Sequence, residues 1–259
     1  MNLNEVVKEI INISKEAGAA ILRVYNQQVF QIENKADSSP LTEADRLANN
    51  IICSSLFSKF PNIPIISEEN KMESYQIRKD YRLCWMVDPL DGTKEFINRN
   101  GDFTVNIALI KEGEPILGVV YQPTNDDLYY AVKGMGAVSI QNGITNSLKT
   151  TPFSDRDKGL KVVASRSHLN DETKEFIMKF DQPILVTRGS SLKFLLLASN
   201  EAAIYPRLAP TSEWDTAAAQ CILTEAGGIV INTEDGMPMR YNKESLLNPS
   251  FIAYRYPPF

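Results

Sequence analysis

Apolar residues recur at helical spacing through positions 3–25: Val6, Val7, Ile10, Ile13, Ala17, Ile21 and Leu22 are separated by Glu5, Lys8, Glu9, Lys15 and Glu16. That pattern predicts an amphipathic helix packed on a core. Val29–Glu33 reads as a strand, and Thr42–Phe60 as a second helix bounded by Pro40 and Pro61. Ile63–Ser67 is a short strand whose internal Pro64 marks an edge or a strand start. Leu83–Val87 is an unbroken apolar run, as expected of a buried strand.

From Phe103 to Gln141 the pattern becomes strand and turn. Phe103–Lys111, Ile116–Tyr121, Leu128–Val132 and Ala137–Gln141 are joined by turn-forming segments such as Glu112-Gly113-Glu114-Pro115 and end at Asn142-Gly143. Such hairpin chemistry predicts an antiparallel sheet. Gly134-Met135-Gly136 lies between two of these strands and reads as a hairpin turn. The polar stretch 142–161 is the expected linker between a part spanning 1–150 and a part spanning 151–259. Beyond it, strands at Lys161–Ala164, Pro183–Val186, Ala202–Tyr205 and Ile229–Asn232 alternate with helices at Asp171–Phe180, Ser190–Ser199 and Glu213–Ala226. The alternation predicts an α/β second part, with Gly227-Gly228 capping its last helix.

Composition narrows the chemistry. Of 259 residues, 27 are Lys or Arg, 32 are Asp or Glu, and His168 is the single histidine. Multi-histidine zinc sites are excluded, so carboxylates are the expected workers. Cys53, Cys84 and Cys221 stand apart in apolar surroundings and read as buried, reduced thiols. A net charge of −5 argues against binding to a nucleic-acid polymer, but not against a small anion met by local cations or a metal. No apolar run is long enough for a transmembrane segment, and the opening helix lacks the character of an export signal. The expected location is the cytoplasm; peripheral association with the inner membrane and the oligomeric state stay open.

The densest chemical signal is Asp88-Pro89-Leu90-Asp91-Gly92-Thr93, directly after the buried run 83–87. Two carboxylates at a strand end, a stiffening proline and a glycine that lets amides approach an anion suit magnesium beside a phosphate. A strand-end turn with aspartate caps is the plain alternative. Ser67-Glu68-Glu69 puts carboxylates at another strand end. Asp215 after Ser212, and Asp45 after Thr42, each sit where a helix capping box would also place them.

Ser67-Glu68-Glu69, Asp88–Thr93 and Trp214-Asp215-Thr216-Ala217-Ala218 with Glu225-Ala226-Gly227-Gly228 resemble the signature blocks of the inositol-monophosphatase superfamily, which are magnesium-dependent, lithium-sensitive phosphatases. The runs Asp91–Phe96, Gly101–Leu109, Gly189–Phe194 and Tyr205-Pro206-Arg207 are most similar to its bisphosphate-nucleotidase branch. The resemblance implies a layered α/β/α/β/α sandwich (α/β, or α+β) that removes the 3′-phosphate from adenosine 3′,5′-bisphosphate, with two or three Mg2+ ions. An inositol- or sugar-phosphate phosphatase on the same metal core is the nearest rival.

Carried over residue by residue, the resemblance implies metal ligation by Glu68, Asp88, Asp91, Asp215 and the Leu90 carbonyl. It implies phosphate contacts from Gly92 and Thr93, and a Thr93–Asp45 pair that orients and helps deprotonate the attacking water. One ion is expected near Glu68 and Asp88, a second near Asp91 and Asp215. Ser190, Lys193 and Arg207 could hold the second phosphate or the ribose, or be an ordinary helix cap and surface cations. His168 aligns with an adenosine contact of that branch, or is a surface histidine near a loop.

Overall fold

The computed structural model describes residues 1–27, 32–34, 40–165 and 170–257. His168 and part of the strand expected at Val29–Glu33 lie outside them. The first 150 residues open with helix α1 (Leu3–Tyr25), whose apolar stripe Val6, Val7, Ile10, Ile13, Ala17 and Ile21 is buried as its spacing requires. Strands β1 (Ile32–Asn34) and β2 (Pro40–Thr42) form a small antiparallel pair leading into α2 (Glu43–Lys59). A seven-stranded sheet follows: β3 (Ile65–Ser67), β4 (Leu83–Asp91), β5 (Thr104–Lys111), β6 (Glu114–Gln122), β7 (Asp127–Val132), β8 (Gly136–Gln141) and β9 (Ile144–Leu148), in that order across the sheet. All neighbours are antiparallel except β3 and β4. Short helices α3 (Tyr75–Arg78) and α4 (Thr93–Ile97) flank β4.

The period-2 pattern of these strands sorts their side chains between two cores. Trp85, Val87, Val105, Ile107 and Leu109 pack with α1 and α2. Cys84, Met86, Ala108 and Ile110 face the opposite way, onto helices α6 (Leu192–Ala198) and α7 (Ala217–Ala226). Those helices are apolar on nearly every side because each lies between two sheets. The second sheet holds β10 (Lys161–Ser165), β11 (Ile184–Arg188), β12 (Ile204–Arg207), β13 (Ile229–Asn232) and β14 (Phe251–Tyr254), ordered β11-β10-β12-β14-β13. Its outer face is covered by α5 (Asp171–Ile177) with Phe176 and Phe180. The layers therefore run α1–α2, sheet, α6–α7, sheet, α5, which is the α/β/α/β/α order that the resemblance implied.

Several expectations are corrected. The stretch 142–161 is not all linker, because β9 pairs with β8 along its full length. It escapes an apolar-pattern reading because it is a solvent-exposed edge strand. The second sheet is mixed, since β14 inserts antiparallel between β12 and β13. The helix expected from Ser190 starts at Leu192, because Ser190 sits at φ +53°, outside helical backbone. That expected from Glu213 starts at Ala217, with Asp215 in the preceding turn. The helix at Asp171 ends at Ile177 rather than Phe180, and the strand expected from Pro183 runs Ile184–Arg188.

Candidate active site

Asp88 and Asp91 are three residues apart, and on a regular strand they would point to opposite faces. They do not, because β4 carries a bulge between them: Asp88 pairs with Asn106 of β5, and Asp91 with Thr104. Thr104 and Asn106 are two apart and share a face, so one extra residue in β4 brings both carboxylates to the face between the sheets. Pro89, which has no amide proton for the ladder, falls within the bulge. Gly92 follows at φ +93°, where a Cβ would sit 3.0 Å from the Asp102 carbonyl oxygen, so this turn requires glycine.

Glu68 follows β3, the parallel neighbour of β4, and its amide donates to the Val87 carbonyl at 3.1 Å. Its turn is braced from α2. The Ser67 hydroxyl donates to Asn49 Oδ1 at 2.7 Å, and Asn49 Nδ2 donates to Asn70 Oδ1 at 2.9 Å. Asp215 arrives from the turn before α7. Its Oδ2 accepts the Ser212 amide at 2.9 Å and the Thr211 hydroxyl at 2.5 Å. Behind it the fully buried Glu213 accepts the Asn242 and Lys243 amides and pairs with the Lys243 ammonium, anchoring the turn.

Carboxylate oxygens of Glu68, Asp88 and Asp215 lie within 4.8 Å of one another. Burial and the neighbouring charges of Asp91 and Glu68 push Asp215 from its ordinary 3.8 up to about 7. Three converging carboxylates at that spacing repel one another unless a proton or a cation sits among them. All-oxygen donors of this kind fit a hard divalent ion such as magnesium, so the donor set matches the implied metal.

Asp91 lines the same cleft but stands outside that trio, and one of its oxygens is already engaged. Its Oδ2 accepts from the Ser190 hydroxyl (2.7 Å), the Ser191 amide (2.7 Å), the Ser191 hydroxyl (2.8 Å) and Asn106 Nδ2 (3.2 Å). Asp45 contacts both its helix cap and Thr93. Its Oδ2 accepts the Thr42 amide at 2.7 Å, completing the α2 capping box, while its Oδ1 accepts the Thr93 hydroxyl at 3.1 Å. The Thr93 hydroxyl also lies 3.4 Å from the Leu90 carbonyl oxygen.

These groups open onto a cleft of about 260 Å³, lined by Glu68, Asp88, Leu90, Asp91, Gly92, Thr93, Ser190, Lys193, Arg207 and Asp215, together with Lys94, Glu95, Tyr205 and Thr211. Of the residues expected from the sequence, Asp45 stands behind Thr93, and only His168 goes without a described position. The cleft carries both acids and the cations Lys94, Lys193 and Arg207. Lys193 is buried, donates to the Ser190 carbonyl at 2.5 Å and lies 5.6 Å from the Tyr205 ring centroid. Burial lowers it to about 8, against the pull of Asp91, and an anion beside it would favour its charged form further. Arg207 donates to the Pro210 carbonyl, and its buried Nε has no partner among the described residues. A buried donor left over at a cleft wall fits an anionic ligand.

The profile of the inositol monophosphatase family matches residues 2–255. The chain belongs to that family. It is 41% identical over 254 residues to the 3′(2′),5′-bisphosphate nucleotidase CysQ of Salmonella typhimurium, covering 97% of this chain and 100% of that protein. The crystal structure of CysQ from Bacteroides thetaiotaomicron, a bacterial family member, superposes with a TM-score of 0.83 at 40% identity, covering 96% of this chain and 97% of that one. The extragenic suppressor protein suhB of Bartonella henselae gives 0.79 at 26% identity over 98% and 95%. Family enzymes use Mg2+, and the carboxylate trio is where this fold concentrates acidic oxygens.

The sequence reading missed Thr104, Asn106, Ser191 and Thr211, which hold Asp91 and Asp215 in place. A signal for two of them was present. Thr104 and Asn106 are a polar pair at i and i+2 inside the apolar strand Phe103–Ile110, hence on one face.

Proposed function

We propose that this protein hydrolyses the 3′-phosphate of adenosine 3′,5′-bisphosphate, giving AMP and inorganic phosphate, with adenosine 3′-phosphate 5′-phosphosulfate as a second substrate. The observation that carries this reading is one cleft lined by both a carboxylate cluster and the cations Lys193 and Arg207. A substrate with two phosphates can engage both sets, whereas a monophosphate engages one. Full-length likeness to 3′(2′),5′-bisphosphate nucleotidases supports it independently.

Glu68, Asp88, Asp91, Asp215 and the Leu90 carbonyl are proposed to hold two or three Mg2+ ions. When bound, magnesium supplies positive charge to the phosphoryl group and makes water a stronger nucleophile at neutral pH. Asp45 Oδ1 takes the Thr93 proton in a hydrogen bond, which turns a Thr93 lone pair toward the cleft to accept a proton from the attacking water. The water oxygen bonds to phosphorus as its proton passes to the Thr93–Asp45 pair, and the P–O3′ bond breaks with its electron pair on O3′. O3′ takes a proton from a solvent water while the Thr93–Asp45 pair returns its own to solvent, so that one water is consumed. Gly92 and Thr93 are proposed to hold the transferred phosphoryl group. Ser190, Lys193, Arg207 and His168 are proposed to hold the rest of the nucleotide. In this reading residues 1–150 supply most metal ligands and 151–259 close the nucleotide side. The proposed setting is the cytoplasm, with lithium as an inhibitor. Among the described residues no helix is long and apolar enough to cross a membrane.

Phosphate release measured side by side on adenosine 3′,5′-bisphosphate and inositol 1-phosphate tests the reading. A higher kcat/KM for the nucleotide is expected. Faster turnover of inositol 1-phosphate would overturn the substrate assignment.

A further inference from the structure

Asp91 Oδ2 has four donors within reach, more than one carboxylate oxygen needs. Their protons are not equally committed. The Ser191 hydroxyl also lies 3.0 Å from the Asp215 carbonyl oxygen, and the Ser190 hydroxyl 2.5 Å from Thr104 Oγ1. Each hydroxyl has one proton and can turn it elsewhere. Only the Ser191 amide and Asn106 Nδ2 carry protons whose direction the structure fixes.

Asn106 is itself held on three sides. Its Nδ2 also donates to Ser191 Oγ at 2.7 Å, while its Oδ1 accepts the Thr104 hydroxyl at 2.9 Å. Thr104, Asn106 and Ser191 are all buried. Burying three polar side chains at the meeting of two sheets is costly unless each is satisfied, and here the bonds centre on one carboxylate oxygen.

We propose that Asn106 is a positioning residue for Asp91. From the first sheet it pins Oδ2, which leaves Oδ1 as the oxygen offered to a cation. Thr104 fixes which way the Asn106 amide points, and Ser191 supplies the opposing hold from the α6 side. The inference rests on the reading of Asp91 as a metal ligand, and the test separates the two.

Mn2+ binding to the full chain, followed by the loss of its free electron-paramagnetic-resonance signal, reads the ligand set without turnover. Asn106→Leu removes both amide donors while keeping the same branched skeleton and is expected to weaken Mn2+ binding about tenfold or more. The Mg2+ concentration for half-maximal activity should rise by the same factor, with the nucleotide KM at saturating metal little changed. Thr104→Val is milder, at about threefold, and decides the matter if Asn106→Leu does not fold. A purely structural role would lower thermal stability and leave Mn2+ affinity alone; unchanged affinity in a folded variant overturns the proposal. Asp91→Asn is the control. If it binds Mn2+ like the wild type, the ligand reading itself fails. If it loses binding while Asn106→Leu and Thr104→Val do not, only the positioning role fails.

Discussion

At the scale of single residues, the acids of the candidate site serve the fold as well as the chemistry proposed for them. Asp45 caps α2 with one oxygen and holds Thr93 with the other, so a capping box and a catalytic helper are not competing readings of Thr42-x-x-Asp45. Asp215 likewise closes a turn through Thr211 and Ser212 while facing Glu68 and Asp88. Its raised pKa has a consequence with a definite sign. In the metal-free protein the folded chain keeps a proton on Asp215 that the unfolded chain has released. This group therefore makes stability fall as pH rises from about 4 to about 7, and the effect levels off above that. A divalent cation competes with the same proton. Magnesium should thus raise Tm more at about pH 8 than at about pH 5, as differential scanning calorimetry would measure. Equal shifts at both values would contradict the assignment of the carboxylate cluster as the metal site. The acids were legible because their motifs are contiguous in sequence. Thr104, Asn106 and Thr211 were not, because their function is defined by contacts across the fold, as between Asn106 and Ser191.

At the scale of elements, the decisive device is the irregularity in β4. The motif Asp88–Thr93 shows two acids and a proline at a strand end, but not that one extra residue turns both acids to the same face; pairing with β5 sets that. The long amphipathic helices were legible because one apolar face betrays each, and the hairpin strands because apolar runs are bounded by turn residues. The edge strand β9 was not, being exposed, and β14 was not, being four residues in a Pro-rich tail. Helix α7 crosses β6 closely at Gly118. A Cβ there would lie 2.3 Å from the Ala218 carbonyl oxygen and 2.9 Å from Cys221 Cβ. The obstacle is helix backbone, which cannot rotate away. Gly118→Ala should therefore destabilise the chain by about 1–3 kcal/mol in chemical denaturation. A cost below about 0.5 kcal/mol would mean that α7 can shift off the sheet. Because α7 directly follows the Asp215 turn, the same variant should weaken magnesium binding.

At the scale of the whole molecule, five layers place the cleft where the first sheet's β3, β4 and α4 meet the second sheet's β12 and the helices between them. Acids come mainly from the first side, and Ser190, Lys193 and Arg207 from the second. A net charge of −5 is thus no obstacle to the proposed anionic substrate: Lys193 and Arg207 line the cleft, and magnesium would offset its carboxylates. The layer order came from resemblance to a family; no periodicity in the chain specifies how two sheets stack. In the proposed function it is the 3′-phosphate that leaves. Phosphorus-31 magnetic resonance of adenosine 3′,5′-bisphosphate with the enzyme and magnesium tests this most directly. The 3′-phosphate signal should convert to inorganic phosphate while the 5′-phosphate signal persists as AMP. Loss of the 5′-phosphate first, or equal turnover without a divalent cation, would contradict the account.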